Sequence, residues 1–211
     1  MMKETGIIMS GSHPVDILER RKTLTRRTWG LKEINKHPDD WELVAVFQDG
    51  LARFCTHDGS QELTVKCPYG GYGDLLWVKE NLYRNPYFNE AGYVSDNSAV
   101  MVNGTIGDML KWRWKRDLLP AMFMPKEASR ILLEITELRA ERLQSITEED
   151  ALAEGCRNQV LSNFAPNFDI AIVPASKKFA KLWDSLNAKR GYPFSLNPWV
   201  WPIGFKRLKG A

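Results

Sequence analysis

Around Lys22 the hydrophobic period of the chain changes, and that change constrains what the chain can build. Val15, Leu18 and Lys22 recur at i, i+3 and i+7, with Ile17 widening the stripe, as in an amphipathic helix. Beyond Lys22 the spacing becomes two. Leu24, Arg26 and Thr28 share one face, and Thr23, Thr25 and Arg27 share the other. A helix therefore gives way to a strand at a corner marked by Lys22, and Thr25 and Arg27 project together from that strand. The corner is also basic: five cations lie between Arg20 and Arg27, with no acidic residue among them. Cations and hydroxyls gathered at one corner point to a phosphate-bearing or nucleotide-like ligand.

The rest of the chain reads mostly as strand. Gly6–Ser10 is a short apolar strand, with Ser12 placed to cap the helix that follows and Pro14 tolerated in its first turn. Trp41–Gln48, Leu51–His57 and Glu62–Lys66 alternate as strands separated by the turn signals Asp49–Gly50 and Asp58–Gly59. The glycine-rich turn Pro68–Asp74 leads into a strand at Leu75–Glu80, and residues 81–103 are polar and turn-rich. Arg130–Arg139 is another strand. Thr147 caps a short helix that Gly155 stops, residues 158–174 read as loop, and Ser176 caps a last amphipathic helix through Phe179, Leu182, Trp183 and Leu186. Trp199–Phe205 closes the series as a strand. This order favours an α+β fold with a closed or nearly closed mixed barrel over a doubly wound parallel sheet. Gly70–Gly73 has neither the spacing nor the following lysine of a phosphate-binding loop, and no dinucleotide fingerprint appears.

Composition excludes several classes. The 211 residues are enough for one good-sized core, and no apolar run reaches the ~20 residues that span a bilayer. Three cysteines, Cys55, Cys67 and Cys156, form no disulfide framework, so the expected setting is the reducing cytoplasm. Cys55 and His57 have i, i+2 spacing but no second ligand pair, which disfavours zinc; no metal or cofactor is implied.

Arg21–Lys22–Thr23–Leu24–Thr25–Arg26–Arg27, following a short helix, resembles the opening motif of ASCH-domain proteins of the PUA-like superfamily. Gly73–Glu80, Met124–Arg130 and Asn197–Trp201 look like further motifs of its phage and prophage-borne branch. The resemblance implies a mixed β-barrel flanked by short helices, one domain over residues 1–211, with insertions near 36–66, 81–121 and 157–175. Related folds bind RNA, read modified bases or act as enzymes, so the implied partner is RNA, a nucleotide or a modified nucleoside. One branch is an acetylcytidine amidohydrolase with a lysine–threonine–glutamate set. Matching its motifs selects Lys22, Thr25 and, in the helix after Ile146–Thr147–Glu148, Glu154.

In that reading Lys22 takes the Thr25 hydroxyl proton, and Glu154 relays a proton to the leaving amine. Glu154 lies just before the helix-stopping glycine, where the dipole disfavours negative charge. Arg21, Arg26 and Arg27 are candidates for phosphate positioning, Arg27 foremost because it shares Thr25's face. Trp29 is a candidate pocket wall. The competing expectations are a recognition module without turnover, a ribonuclease, or a phage assembly protein; for the arginines the simpler alternative is a solvated basic face or ion pairing with the acids around Glu148. Lys111–Arg116 alternates cation and indole, which fits a strand with buried indoles better than a base-stacking surface.

Overall fold

The computed structural model describes residues 2–102, 105, 107–162 and 170–208. In chain order its strands and helices are β1 (Glu4–Ile8), α1 (His13–Leu18), β2 (Leu24–Arg27), β3 (Trp41–Val46), β4 (Leu51–Thr56), β5 (Glu62–Lys66) and β6 (Leu75–Lys79). Then come β7 (Leu82–Arg84), β8 (Ala91–Tyr93), β9 (Leu118–Leu119), β10 (Leu132–Leu138), β11 (Glu141–Arg142) and α2 (Glu148–Ala153). The chain closes with β12 (Gln159–Ser162), β13 (Ile170–Val173), α3 (Ala175–Asn187) and β14 (Trp199–Arg207). The architecture is α+β, with strands predominating. The chain folds as two compact units: residues 1–20, 69–136 and 205–211 in the first, and 21–68 and 137–204 in the second.

In the first unit β1 runs parallel to β6, and β6 antiparallel to β10. A three-stranded sheet in the order β8-β7-β9 stands where the sequence suggested a turn-rich insertion. Its strands are only two or three residues long, too short for period-two alternation to show. Residues 103, 104 and 106 of that insertion lie outside the described residues. Leu82, Tyr93, Val100, Leu110 and Trp112 form its core, with Trp114 packed against them. The indoles of Lys111–Arg116 are thus core, but the segment bends instead of running as a strand.

In the second unit β3, β4 and β5 form a meander through the expected turns, with Gly50 and Gly59 at φ 89° and 70°. β14 pairs antiparallel with both β2 and β11. Trp199 to Phe205 are all buried, so the strand hides both faces and not the single face that alternation suggests. Residues 158–174 are not simply loop: β12 and β13 pair as an antiparallel hairpin, and residues 163–169 lie outside the described residues. Helix α3 packs Phe179 and Trp183 with Ala151, Leu143 and Val200, each large side chain contributing roughly 1.5–3 kcal/mol by burial. Its N-cap is Pro174 and not Ser176. The amides of Ala175 and Ser176 donate to the Glu148 carboxylate, at 2.5 and 3.1 Å, so an acid on another helix replaces the hydroxyl cap.

Candidate functional site

Every residue of the site belongs to the second unit, and its frame is the end of α2. Thr147 caps the start of this helix, its hydroxyl accepting the Asp150 amide at 3.1 Å. Gly155, at φ 91°, ends it as the sequence predicts: its amide donates to Leu152, and that of Cys156 to Ala151. This Schellman arrangement satisfies two of the last four carbonyls. The other two are met by the Lys22 corner. Thr23 N–H donates to the Ala153 carbonyl at 2.9 Å, and Lys22 Nζ to the Glu154 carbonyl at 2.7 Å.

Lys22 precedes β2 and is not on a helix. Helix α1 ends at Leu18, and Arg20 turns the chain at φ 59°. Its ammonium also donates to Glu154 Oε2 at 2.7 Å. The pair is buried, with Lys22 1% and Glu154 5% exposed. Burial pulls the Lys22 amine below its ordinary 10.5, and the Glu154 carboxylate opposes that pull only in part. The predicted lysine and glutamate are thus brought together.

Arg26 holds the other Glu154 oxygen, at 3.5 Å through Nη1. Its Nη2 donates to Glu141 Oε1 at 2.7 Å and also to Asp150 Oδ2, and its guanidinium lies over the Phe179 ring at 5.7 Å. With a side chain 0% exposed, Arg26 is committed to carboxylates and not to an external phosphate. Arg139 joins the group through Asp150 at 3.0 Å and Glu141 at 3.3 Å. Of the two simpler roles the sequence offers for Arg26, a solvated face or ion pairing with the acids around Glu148, the second is found, with Asp150 as partner. Glu141 carried no signal; nothing local ties it to Arg26.

Proton transfer between Thr25, Lys22 and Glu154 would require Glu154 to reach the Thr25–Arg27 face of β2, and it does not. Glu154 meets Lys22 and Arg26, the even-numbered side of the strand, and not the Thr25–Arg27 side. The register Trp201↔Arg27 and Ile203↔Thr25 places those four residues on one face of the β2–β14 pair. Thr25 is buried there and Arg27 half-buried. On the same face the Trp201 indole N–H is buried without a hydrogen-bond partner among the described residues. Sequence reading took this tryptophan only as strand. Arg21 is half-buried before β2, and Trp29 lies 61% exposed in the turn after it.

Among the described residues no cluster of three or more histidine, cysteine or acidic side chains could hold a metal ion. His57 spends its ring on Glu42 and on the Asp39 carbonyl, both at 2.7 Å. No helix among them is long and apolar enough to cross a membrane.

No protein-family model matches the chain. No curated protein matches it either. Among solved structures, the chain is similar to protein EF3133 from Enterococcus faecalis V583, of the DUF984 family, at 9% identity and a TM-score of 0.40. That likeness covers 99% of this chain and 77% of the other.

Proposed function

We propose that this is a PUA-like protein of the ASCH type that recognises a modified nucleoside and hydrolyses an acyl amide on the exocyclic amine of a cytidine-like base. The α+β architecture and the order of the motifs support the fold assignment. One observation carries the chemistry: Lys22 and Glu154, far apart in sequence, meet in a buried 2.7 Å contact.

Burial weakens the hold of Lys22 on its proton, which is what a lysine base needs near neutrality. In the proposed sequence a water attacks the acyl carbonyl and gives its proton to neutral Lys22, since Thr25 lies on the other face of β2. That proton passes along the 2.7 Å contact to Glu154, which delivers it to the exocyclic nitrogen as the C–N bond breaks. The water oxygen leaves as part of the released acid, and the base departs with its free amine. Arg26 supports the reaction indirectly by holding Glu154, Glu141 and Asp150 in place.

Incubation of the protein with N4-acetylcytidine, followed by chromatography, tests this. Turnover by wild type that is lost in Lys22→Ala and Glu154→Gln is the expected result. Absence of turnover by wild type, or full activity in either variant, overturns it. Thr25→Val reports separately on the hydroxyl.

A second reading rests on the Trp201 indole. An unspent buried donor beside Thr25 and Arg27 suits a base-recognising face without turnover. Nucleoside binding weakened in Trp201→Phe, in a protein that hydrolyses nothing, would select this reading.

A further inference from the structure

The alternating segment Lys111–Arg116 has no part in the site above, and in the first unit it lies along a hairpin whose tip is aromatic. Trp112 N–H donates to the Asn89 carbonyl at 2.9 Å, Glu90 bridges to Lys111, and Arg84 N–H donates to the Asp117 carbonyl at 2.9 Å. The segment therefore borders both ends of the turn 85–89. At the tip Tyr87 is 85% and Phe88 67% exposed, with ring centroids 6.4 Å apart. The tip is shaped and not a loose end: Asn85 Oδ1 accepts the Tyr87 amide at 2.9 Å.

The two indoles of the segment explain where its cations point. Trp112 and Trp114 pack edge to face at 4.9 Å, and the Trp112 indole N–H donates to the Arg116 carbonyl at 3.1 Å. That bond closes a bend, and the bend leaves Lys115 and Arg116 exposed. Lys111 pairs with Glu90, Arg113 with Glu127 and Arg84 with Asp117. Lys115 and Arg116 have no ion pair among the described residues. Two exposed rings thus stand beside two cations without carboxylate partners.

We infer that this face of the first unit binds single-stranded nucleic acid, Tyr87 and Phe88 stacking on bases and Lys115 and Arg116 holding the backbone. A polyanion alone needs no aromatic tip, and an apolar partner gains nothing from the two cations. A chain of flat rings on a charged backbone uses both, and stacking of that kind tolerates any base sequence. The inference rests on the nucleoside reading only for its biological sense: a strand held here would present its modified base to the same protein.

Fluorescence anisotropy with a labelled short oligouridylate, repeated with the corresponding oligodeoxyuridylate, tests the surface in the full chain. Tyr87→Ala/Phe88→Ala removes two stacking contacts and should weaken binding roughly 30-fold or more. Lys115→Ala/Arg116→Ala should flatten the dependence of log affinity on log salt by about 1.4, two phosphates' worth for a single strand. The ratio of the two oligomers tells whether ribose hydroxyls are read. Unchanged affinity in the aromatic variant, or equal competition by polyglutamate, overturns the inference. Hydrolysis of the free acylated nucleoside should be normal in both variants. Failure of that hydrolysis in wild type, with ring-dependent strand binding intact, removes the catalytic reading and leaves this surface standing.

Discussion

Each unit buries a carboxylate against a cation, and the two choices of cation differ. In the first unit Glu80, 1% exposed, receives both arms of Arg130, at 2.9 Å from Nε and 2.7 Å from Nη2. Arg130 also reaches Asp96 at 2.7 Å and Ser98 at 2.8 Å, and it stacks 3.8 Å from the Tyr93 ring. In the second unit Glu154 is held by a lysine. Arginine keeps its proton at any pH a protein meets, whereas a buried lysine can release it. The Arg130 group can therefore only clamp its loop. The Lys22 group can clamp and also exchange a proton.

Replacing Lys22 by arginine tests that contrast most severely, because it keeps the charge and removes the releasable proton. The expected loss in kcat/KM on the acylated nucleoside is roughly 10²- to 10⁴-fold, measured on material whose circular dichroism matches wild type. Wild-type rate should rise with pH to a plateau whose midpoint lies below 10.5, and Lys22→Arg should lack that rise. Stability carries the same sign. Between the lowered folded value and 10.5 the unfolded chain binds the extra proton, so stability increases with pH across that window. An arginine variant that turns over normally would make the two clusters equivalent.

Arg130→Met attacks the other side of the comparison. It strands Glu80 without a counter-charge and should cost about 3–5 kcal/mol in urea denaturation, with hydrolysis per folded molecule unchanged. A fall in that specific rate would mean the clamp is more than structural. The smallest effect belongs to Thr147→Ala, which removes the α2 cap. About 1 kcal/mol of stability should go, with a modest loss of rate as the turn bearing Glu154 loosens.

The parts legible in the sequence were those fixed locally. The start of β2, the Thr147 cap, the Gly155 stop and the turns at Gly50 and Gly59 all depend on neighbours within a few residues. The meeting of Lys22 with Glu154 was reached through motif resemblance, because no periodicity links positions so far apart. What escaped was set by tertiary partners. The glutamate that receives the Lys22 amine lies 132 residues on and meets the Arg26 side of the strand, which no local period foretells. Glu148 replaced Ser176 as the cap of α3 for the same reason. The strands at 82–84, 91–93 and 118–119 left no pattern because each is shorter than the pattern itself.

The bond from Lys22 to the backbone carbonyl of Glu154 gives this proton a second consequence. While charged, the amine neutralises the negative pole of α2 and ties off its final turn. Once neutral, it holds that carbonyl more weakly and no longer offsets the pole. Protonation state and fraying of the last turn are then one equilibrium seen from two sides. Burial outweighs both effects, because opening that turn returns the amine to water, where it regains its proton. Protection of the Gly155 and Cys156 amides, corrected for the intrinsic rise of exchange with pH, should therefore increase as Lys22 discharges. The helix end is, in effect, a built-in indicator of the charge on Lys22.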